Sequence, residues 1–473
     1  MHPVIALLFA ASAMTFGEVS AENARFTTQE YPLLGNNHVA ADFNGDGRLD
    51  LAGTGANAVS AMLNNGTGAF SPKTDFAIAA QTQAVAAGDF DGNGKMDLVV
   101  TLNDSQFSFA LLTGTGTGSF NAPVYFPNTS GFDSPAVIAT DLNNDGKLDL
   151  VILHTLGCFT PPCSSAHSIT VLLGNGNATF QSAQEIDVGV LPHAMAVGDF
   201  NGNGIQDLAI GGEKTELRIL LGLGDGTFIA QPIMQLVPGG DLFSACNDVD
   251  VADFNGNGIQ DLVVPLGNGR GNAILIGNGN GTFQVTQRIT INESFAPLNV
   301  AVADYNRDGF ADIARAMGDG TNGLVEILHG NGNGTFQSPV SYLVPPPQSS
   351  IGGFFITSSD FSGDDKPDIA LEVGGASPAL QVLLNSTAAA TDTVSITRAE
   401  YRASTRILRV EATSTRADAT LQVFVTSSNQ LIGTLTSTGR GRFRGQFSWP
   451  VNPQNITVRS NFGGQAMRNV TVR

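Results

Sequence analysis

Seven short acidic segments of this chain share one pattern of oxygen-bearing side chains. Each places Asp at positions 1 and 9, Asp, Asn or Ser at position 3, Asp or Asn at position 5, and in six copies Gly at position 6. Oxygen ligands two residues apart on a tight loop are what Ca²⁺ prefers, and glycine permits the sharp turn. The segments, here called acidic loops 1 to 7, are DFNGDGRLDL (42–51), DFDGNGKMDL (89–98), DLNNDGKLDL (141–150), DFNGNGIQDL (199–208), DFNGNGIQDL (253–262), DYNRDGFADI (304–313) and DFSGDDKPDI (360–369).

The acidic loops therefore predict up to seven structural Ca²⁺ sites. A metal-free turn is the alternative for any one copy, but recurrence favours the metal. Loops 4 and 5 offer two carboxylates each and are predicted to bind more weakly, while loop 7 departs most from the pattern with Ser362 and Asp365. The predicted ligands are Asp42, Asn44, Asp46, Asp50, Asp89, Asp91, Asn93, Asp97, Asp141, Asn143, Asp145, Asp149, Asp199, Asn201, Asn203, Asp207, Asp253, Asn255, Asn257, Asp261, Asp304, Asn306, Asp308, Asp312, Asp360, Ser362, Asp364 and Asp368.

The sequence around each loop predicts four β-strands per repeat. In the second repeat, the apolar run 83–90 precedes the loop, DLVVTL (97–102) follows it, 111–120 runs into a Gly-rich turn ending in Phe, and 122–128 reads as a fourth strand. Repeats spaced 47 to 58 residues apart without helical periodicity predict an all-β propeller. The turn phenylalanines are predicted to anchor the core between blades: Phe70, Phe120, Phe180, Phe228, Phe283 and Phe336.

Closure of the propeller can also be predicted. The seventh repeat breaks off at 380–390, before its Gly-Phe turn and fourth strand, and segment 24–33 has the pattern of the missing strand. A first strand that completes the last blade leaves no open sheet edge. We therefore expect a closed seven-bladed β-propeller over residues 22–390.

With its calcium-type loops and Gly-rich hairpins, the repeat resembles the FG-GAP/VCBS family, which includes the seven-bladed propeller of integrin α subunits. The literal Phe-Gly and Gly-Ala-Pro signatures are absent here. The resemblance accordingly implies the fold and its cation sites rather than the ligand of an integrin.

Residues 391–473 form a different unit, in which short alternating apolar and polar runs predict a C-terminal β-sandwich of Ig-like type. The segment holds eleven Arg against four acidic residues, although the whole chain has a net charge of −19. Its arginines are expected to line a solvated strand face. The alternatives are docking onto the acidic propeller or onto an anionic cell-surface polymer.

Charge limits the partners of this chain, and its N-terminal composition indicates an exported protein. The acidic body disfavours nucleic acid and anionic membranes as partners. An apolar run over 3–14 and a small-residue site at 19–21 predict a signal peptide over 1–21, and no later stretch is apolar enough for a membrane span. Cys158 and Cys163 are close enough to form a disulfide, while Cys246 is expected to be a buried thiol or an intermolecular partner.

Catalytic residues are not evident, because His154, His167 and His193 have no recognisable nucleophile beside them. We therefore expect a secreted binding or adhesion module for an extracellular protein or polysaccharide. The alternatives are a lyase-type polysaccharide-degrading enzyme using a funnel at the end of the propeller, and a purely structural surface component. Variable loops often carry recognition, so the ligand is expected at insertions on the face opposite the acidic loops: 155–168, 235–248 and 342–353.

Overall fold

A computed structural model describes most of the chain after residue 25. The described residues are 26–35, 37–128, 133–155, 167–238, 245–267, 269–290, 296–318, 323–344, 355–373, 379–386, 393–415, 419–428, 430–460 and 465–473. Their regular secondary structure is entirely β, and no helix among them is long and apolar enough to cross a membrane. The predicted signal peptide and the predicted pair Cys158 and Cys163 lie outside these residues.

Seven antiparallel sheets follow one another along the described chain as propeller blades. The first six pair their first four strands in sequence order, and in blade 4 a short fifth strand also pairs with the third. The first three blades contain β2 His38–Ala41, β3 Asp50–Thr54, β4 Ala58–Met62 and β5 Thr74–Ala77; β6 Gln81–Gly88, β7 Asp97–Asn103, β8 Phe107–Leu112 and β9 Val124–Pro127; and β10 Asp133–Thr140, β11 Asp149–Thr155, β12 Ser168–Leu172 and β13 Gln184–Asp187. The next three contain β14 Pro192–Gly198, β15 Asp207–Gly212, β16 Glu216–Gly222, β17 Phe228–Ala230 and β18 Met234–Gln235; β19 Asp250–Ala252, β20 Asp261–Leu266, β21 Gly271–Gly277 and β22 Phe283–Ile289; and β23 Ala296–Ala303, β24 Asp312–Gly318, β25 Gly323–Leu328 and β26 Val340–Val344.

Blade 7 is completed by the first strand of the described chain. Its sheet runs β1 (Phe26–Pro32), β29 (Ala379–Asn385), β28 (Asp368–Val373) and β27 (Ile356–Ser359). β1 pairs antiparallel with β29 over its whole length, from Phe26 opposite Asn385 to Pro32 opposite Ala379. The predicted closure is thereby confirmed.

The propeller core lies between blades rather than within them. In the described residues, one hydrophobic cluster fills each of the seven junctions between adjacent blades. The second strand of a blade is consequently buried on both faces, as in β7, where every residue but the last is buried. Burial on both faces explains why these strands read as continuous apolar runs instead of alternating ones.

The turn phenylalanines pack across the blade junctions, as predicted. Phe120 of blade 2 lies edge-to-face on Phe43, the position-2 residue of acidic loop 1, with ring centroids 5.5 Å apart. The same contact recurs between Phe180 and Phe90, Phe283 and Phe200, Phe336 and Phe254, and Phe70 and Phe361. Phe228 and Leu142 share a cluster at the third junction, and Phe26 contacts Tyr305 at the sixth.

The C-terminal unit consists of two sheets around one hydrophobic core. The first sheet has the order β34-β35-β31-β30-β38 and the second has the order β33-β32-β36-β37. The sandwich is thus observed, while its Ig-like classification remains a prediction. Its strands are β30 Val394–Arg402, β31 Ile407–Ser414, β32 Leu421–Val425, β33 Leu431–Thr434, β34 Thr436–Ser437, β35 Arg442–Ser448, β36 Asn455–Ser460, β37 Gln465–Asn469 and β38 Thr471–Val472.

Two buried ionisable side chains lie at the junction between blades 1 and 7, where the propeller closes. His38 of blade 1 places Nδ1 3.8 Å from Oε1 of Glu372 in blade 7, and both side chains are almost fully buried. Burial lowers the pKa of His38 to about 4 and raises the pKa of Glu372 to about 9. Both side chains are therefore neutral near pH 7.

We predict that Phe120→Ala lowers the free energy of unfolding by about 3–4 kcal/mol, because it removes a ring packed on both Phe43 and Phe76. Urea titration in saturating calcium measures the change. Val124→Ala is the matched control on the same blade; its side chain is 57% exposed, so a change below about 0.5 kcal/mol is expected. If the two substitutions lowered the free energy of unfolding equally, the clusters between blades would not be the main hydrophobic core.

Glu372 makes a pH-dependent prediction. Its pKa is raised on folding, so the native state binds a proton that the unfolded chain releases, and stability falls as pH rises from about 5 towards 9. Glu372→Gln removes this loss. The stability of the variant relative to wild type is expected to rise by up to about 1.4 kcal/mol per pH unit in this window. Urea titrations of both proteins between pH 5 and 8 test this; a constant difference would show that Glu372 is ionised in the fold.

Candidate metal-binding loops

The acidic loops lie together at one edge of the propeller. Each connects the first and second strands of a blade, as between Gly88 at the end of β6 and Asp97 at the start of β7. The Gly-rich turns connect the third and fourth strands at the same edge, which was predicted from strand order. Blades 1 to 6 thus each bring one acidic loop beside one Gly-rich turn, while blade 7 has its acidic loop beside the end of β29.

The Asp at position 9 joins the acidic loop to the end of the third strand in all seven blades. One carboxylate oxygen accepts the N–H of loop position 2 with N···O distances of 2.9 to 3.0 Å. The other accepts an N–H from the Gly-rich turn or its equivalent at 2.6 to 2.8 Å. The seven carboxylates are fully buried: Asp50, Asp97, Asp149, Asp207, Asp261, Asp312 and Asp368. In loops 1 to 3 each of these oxygens accepts one such hydrogen bond and keeps a further lone pair available for a cation.

The Asp at position 1 fixes the loop from the other side. Its carboxylate accepts the backbone N–H groups of positions 5 and 6 in every copy. The residue at position 6 must therefore curl back over the carboxylate with positive φ, as Gly47 does at 82°. Asp365 of loop 7 adopts the same conformation at 60°, which Asp tolerates better than most residues.

The loops concentrate negative charge at buried positions. Burial raises the pKa of Asp50 to about 6, and Asp46 and Asp42 raise it further by charge repulsion, although two backbone N–H groups oppose the shift. Burial likewise raises the pKa of Asp97 and Asp149, again with repulsion from their own loops. A bound cation would relieve both the burial cost and the repulsion.

Acidic loop 2 has the carboxylate arrangement that best fits a cation. Oxygens of Asp89, Asp91 and Asp97 all lie within 4.8 Å of one another. Calcium binds oxygens at about 2.3–2.6 Å. Two ligand oxygens on opposite sides of the ion are therefore about 5 Å apart, close to the 4.8 Å limit within which these carboxylates lie. No other group of three acidic or His/Cys side chains in the described residues meets this criterion. Asp91 makes the difference, because loop 2 alone has Asp at position 3.

In loops 1, 3 and 7 the position-5 carboxylate forms an ion pair with the Arg or Lys side chain at position 7. The nitrogen-to-oxygen distance is 3.6 Å for Arg48 with Asp46, 3.4 Å for Lys147 with Asp145 and 2.7 Å for Lys366 with Asp364. Counting carboxylates had predicted loops 1 and 3 to equal loop 2, while loop 7 was already the least certain site. The sequence signal that distinguishes them is an acidic residue at position 5 beside a basic residue at position 7.

Loops 4, 5 and 6 carry other internal hydrogen bonds. The Nδ2 groups of Asn201 and Asn255 donate to Asp207 and Asp261 at 3.1 and 3.3 Å. In loop 6, His329 Nδ1 lies 3.0 Å from Asp312 Oδ2, a partner that was not anticipated from the sequence. These polar partners stabilise the inner Asp without a metal, so the three loops are weaker candidates than loop 2.

A cavity of about 830 Å³ separates this edge of the propeller from the C-terminal sandwich. The propeller side includes Asp253 and Asn255 of loop 5 and Asp304 of loop 6, and the sandwich side includes Arg440 and Gly441. Loops 5 and 6 therefore face a space that a small polar ligand could enter.

The remaining residues named from the sequence have structural surroundings where they are described. Cys246 is a fully buried free thiol whose pKa burial raises to about 12, which confirms the first of its two predicted roles. His154 is buried, with Nε2 2.6 Å from the hydroxyl of Thr170. The predicted ligand insertions 155–168 and 342–353 fall largely outside the described residues, as does the central part, 239–244, of the insertion 235–248.

Comparison with protein families gives a repeat match within the propeller. A family model described as FG-GAP-like repeat matches residues 42–100, 89–152, 199–264 and 265–315. Integrin alpha-V of Gallus gallus is 27% identical over 232 residues, which cover 43% of this chain and 22% of that protein. The chain thus spans about a fifth of the length of this relative.

Comparison with solved structures concerns the fold alone. The crystal structure of BBS1N in complex with ARL6DN, soaked with mercury, superposes with a TM-score of 0.51 at 12% identity, covering 76% of this chain and 96% of that one. An Agrocybe aegerita lectin, whose structure concerns recognition of non-reducing terminal N-acetylglucosamine, gives a TM-score of 0.48 at 20% identity, covering 65% of this chain and 80% of that one.

We predict that Asp91→Asn reduces the stabilisation that calcium confers. In chelator its stability should equal or slightly exceed that of wild type, because the substitution removes the charge of Asp91 that repels Asp97. Asp91 Oδ1 accepts the N–H of Asn93, and an amide oxygen can replace it, so the calcium-free fold is preserved. A tenfold loss of affinity at one site lowers the calcium-dependent stability by about 1.4 kcal/mol. Urea titrations in calcium and in EDTA measure both quantities.

Asp104→Asn is the matched control for this substitution. Asp104 lies in the same blade, outside the acidic loops, and accepts the N–H groups of Gln106 and Phe107. Its substitution should leave the calcium increment intact. An unchanged increment in Asp91→Asn would exclude loop 2 as a calcium site.

Proposed function

Because this chain is an FG-GAP repeat protein with a β-propeller fold, we propose that it is a secreted, calcium-binding module for binding or adhesion. The calcium is structural in this proposal. It binds at up to seven acidic loops, with loop 2 the tightest site, and the propeller presents the surface that contacts an extracellular protein or polysaccharide.

The observation that carries the calcium proposal is the grouping of Asp89, Asp91 and Asp97. Three carboxylates held at cation-ligand separations, one of them fully buried, are unfavourable together unless a cation neutralises them. The same backbone frame recurs in the other six loops, which supports weaker sites there. If ambient calcium exceeds the dissociation constant tenfold, each site adds about 1.4 kcal/mol to stability.

The binding role is supported by likeness to an integrin α subunit rather than by a ligand in the structure. Extracellular calcium is high enough to fill weak sites of this kind, which agrees with the exported location predicted from the N-terminal segment. A lyase-type activity on polysaccharides is the second candidate. No arrangement of described residues favours it specifically, so the binding role is preferred.

The proposal predicts calcium-dependent retention on a defined class of ligand. Purified protein lacking residues 1–21 is applied to arrays of polysaccharides and extracellular matrix proteins, in calcium and in EDTA, with Asp91→Asn and Asp104→Asn as paired variants. Retention on one class is expected in calcium, with loss in EDTA accompanied by a lower unfolding temperature.

Other results would redirect the assignment. Absence of retention on every array in calcium, by a folded protein, would contradict a binding module for these ligand classes. Shortening of an arrayed polysaccharide, with new unsaturated ends in the product, would instead support the lyase.

A further inference from the structure

The C-terminal sandwich carries a row of arginines on the outer face of its first sheet. Side chains along β31 and β35 alternate between the core, where Leu408, Val410 and Phe443 are buried, and the opposite face. That opposite face, here called the arginine face, consists of Arg398, Glu400, Arg402, Arg409, Glu411, Arg442 and Arg444. It has five arginines and two glutamates.

Strand register places these charges in two adjacent rows. Glu411 of β31 lies opposite Arg398 on one side and Arg444 on the other. Arg409, two residues earlier, lies opposite Glu400 and Gln446. Neighbouring strands are about 4.8 Å apart, so the backbones at Arg398 and Arg444 are roughly 10 Å apart, and Arg409 lies at the centre of the adjacent row.

The two glutamates are already engaged by other arginines. Arg398 donates to Glu400 at 2.9 Å and to Glu411 at 3.2 Å, and Arg473 reaches the second oxygen of Glu400 at 2.9 Å. Arg442 and Arg444 form no ion pair with another described residue and are exposed. The face therefore retains unneutralised guanidinium groups.

A groove of about 530 Å³ lies on this face. It is lined by Arg398, Arg409, Val410, Glu411, Thr436, Arg444, Gly445 and Gln446. The Nε atoms of Arg398 and Arg409 are buried and have no hydrogen-bond partner among the described residues. These two Nε–H groups are thus shielded from bulk solvent.

We propose that the arginine face binds an anionic polysaccharide through its sulfate or carboxylate groups. Planar guanidinium groups bind such oxyanions through paired N–H donors, and a linear polymer repeats those oxyanions along its length. The binding does not use calcium or the propeller, although it supplies a ligand class for the proposed binding role.

The composition of the groove favours this occupant over a protein or a nucleic acid. Val410 is the one hydrophobic residue among those that line it, and it belongs to the core. Protein interfaces are usually centred on apolar or aromatic anchors, and single-stranded nucleic acid sites on stacking aromatics. Polar and cationic groups remain as the means of recognition.

Immobilised heparin and polygalacturonate test the proposal, with dextran as the uncharged polymer. The protein lacking residues 1–21 is applied at low salt, in calcium and in EDTA, at a temperature at which circular dichroism shows it folded. We expect binding to at least one polyanion but not to dextran, weakening with salt and persisting in EDTA. Calcium-bridged contact through the acidic loops would be lost in EDTA, which separates the two mechanisms.

Substitutions locate the site. The double variant Arg409→Gln and Arg444→Gln should bind at least tenfold more weakly, and Arg444→Gln alone, at an exposed position, about threefold more weakly. Arg459→Gln is the control for Arg444→Gln, because it removes one positive charge from the other sheet. There Arg459 stacks on Phe424, with its guanidinium carbon 4.8 Å from the ring centroid. Its affinity should stay within twofold of wild type.

Three outcomes would overturn the proposal. Unchanged affinity in the double variant with native circular dichroism would exclude the arginine face, and an equal loss in Arg459→Gln would show a diffuse charge effect. A concentration-dependent dimer in sedimentation that the double variant abolishes would show that a second copy of this chain occupies the face.

Discussion

The buried Asp at position 9 of each acidic loop is the constraint on which the propeller depends. It ties the turn between strands 1 and 2 to the end of strand 3, so that a blade has one rigid edge. Removing it would leave two buried N–H groups without acceptors. The position-2 residue held in this way has a second role, because its carbonyl accepts a hydrogen bond from the next blade, as Phe43 does from Gly118 at 3.0 Å and Phe90 from Ala178 at 2.8 Å. Order within one blade therefore determines where the next one packs.

Burying the position-9 carboxylate also costs electrostatic free energy on folding. Each buried carboxylate is satisfied by hydrogen bonds, yet it lies beside the exposed carboxylates of its own loop, and seven such groups share one edge of the molecule. Where a basic residue at position 7 or a histidine pairs with the loop, part of this cost is offset locally. Loop 2 has Lys95 at position 7 but Asn93 at position 5, so its three carboxylates remain grouped. The acidic loops share one backbone conformation. Differences of one or two side chains thus decide whether a loop groups its carboxylates for a cation or pairs them with its own side chains.

Sequence pattern sufficed for the architecture because the pattern is repeated. The period near fifty residues, the apolar second strands and the interrupted seventh repeat together indicate closed blades, and β1 pairs where the interruption required it. The ranking of the sites could not be obtained in the same way. Counting carboxylates ignores direction, and whether Asp46 turns towards a cation or towards Arg48 depends on side-chain geometry that spacing does not encode. The contact between His329 and Asp312 was missed for a related reason, since the two residues belong to different turns and meet only in the folded blade.

The pairing of β1 with β29 also imposes an order on biosynthesis. The strand that leaves the ribosome first among the described ones must wait for nearly the whole repeat array before its partner exists, because Phe26 pairs with Asn385. Before β29 has been synthesised, β1 has no partner strand, and its unpaired backbone N–H and C=O groups can pair with other strands. Ring closure is consequently the longest-range event in the folding of the propeller.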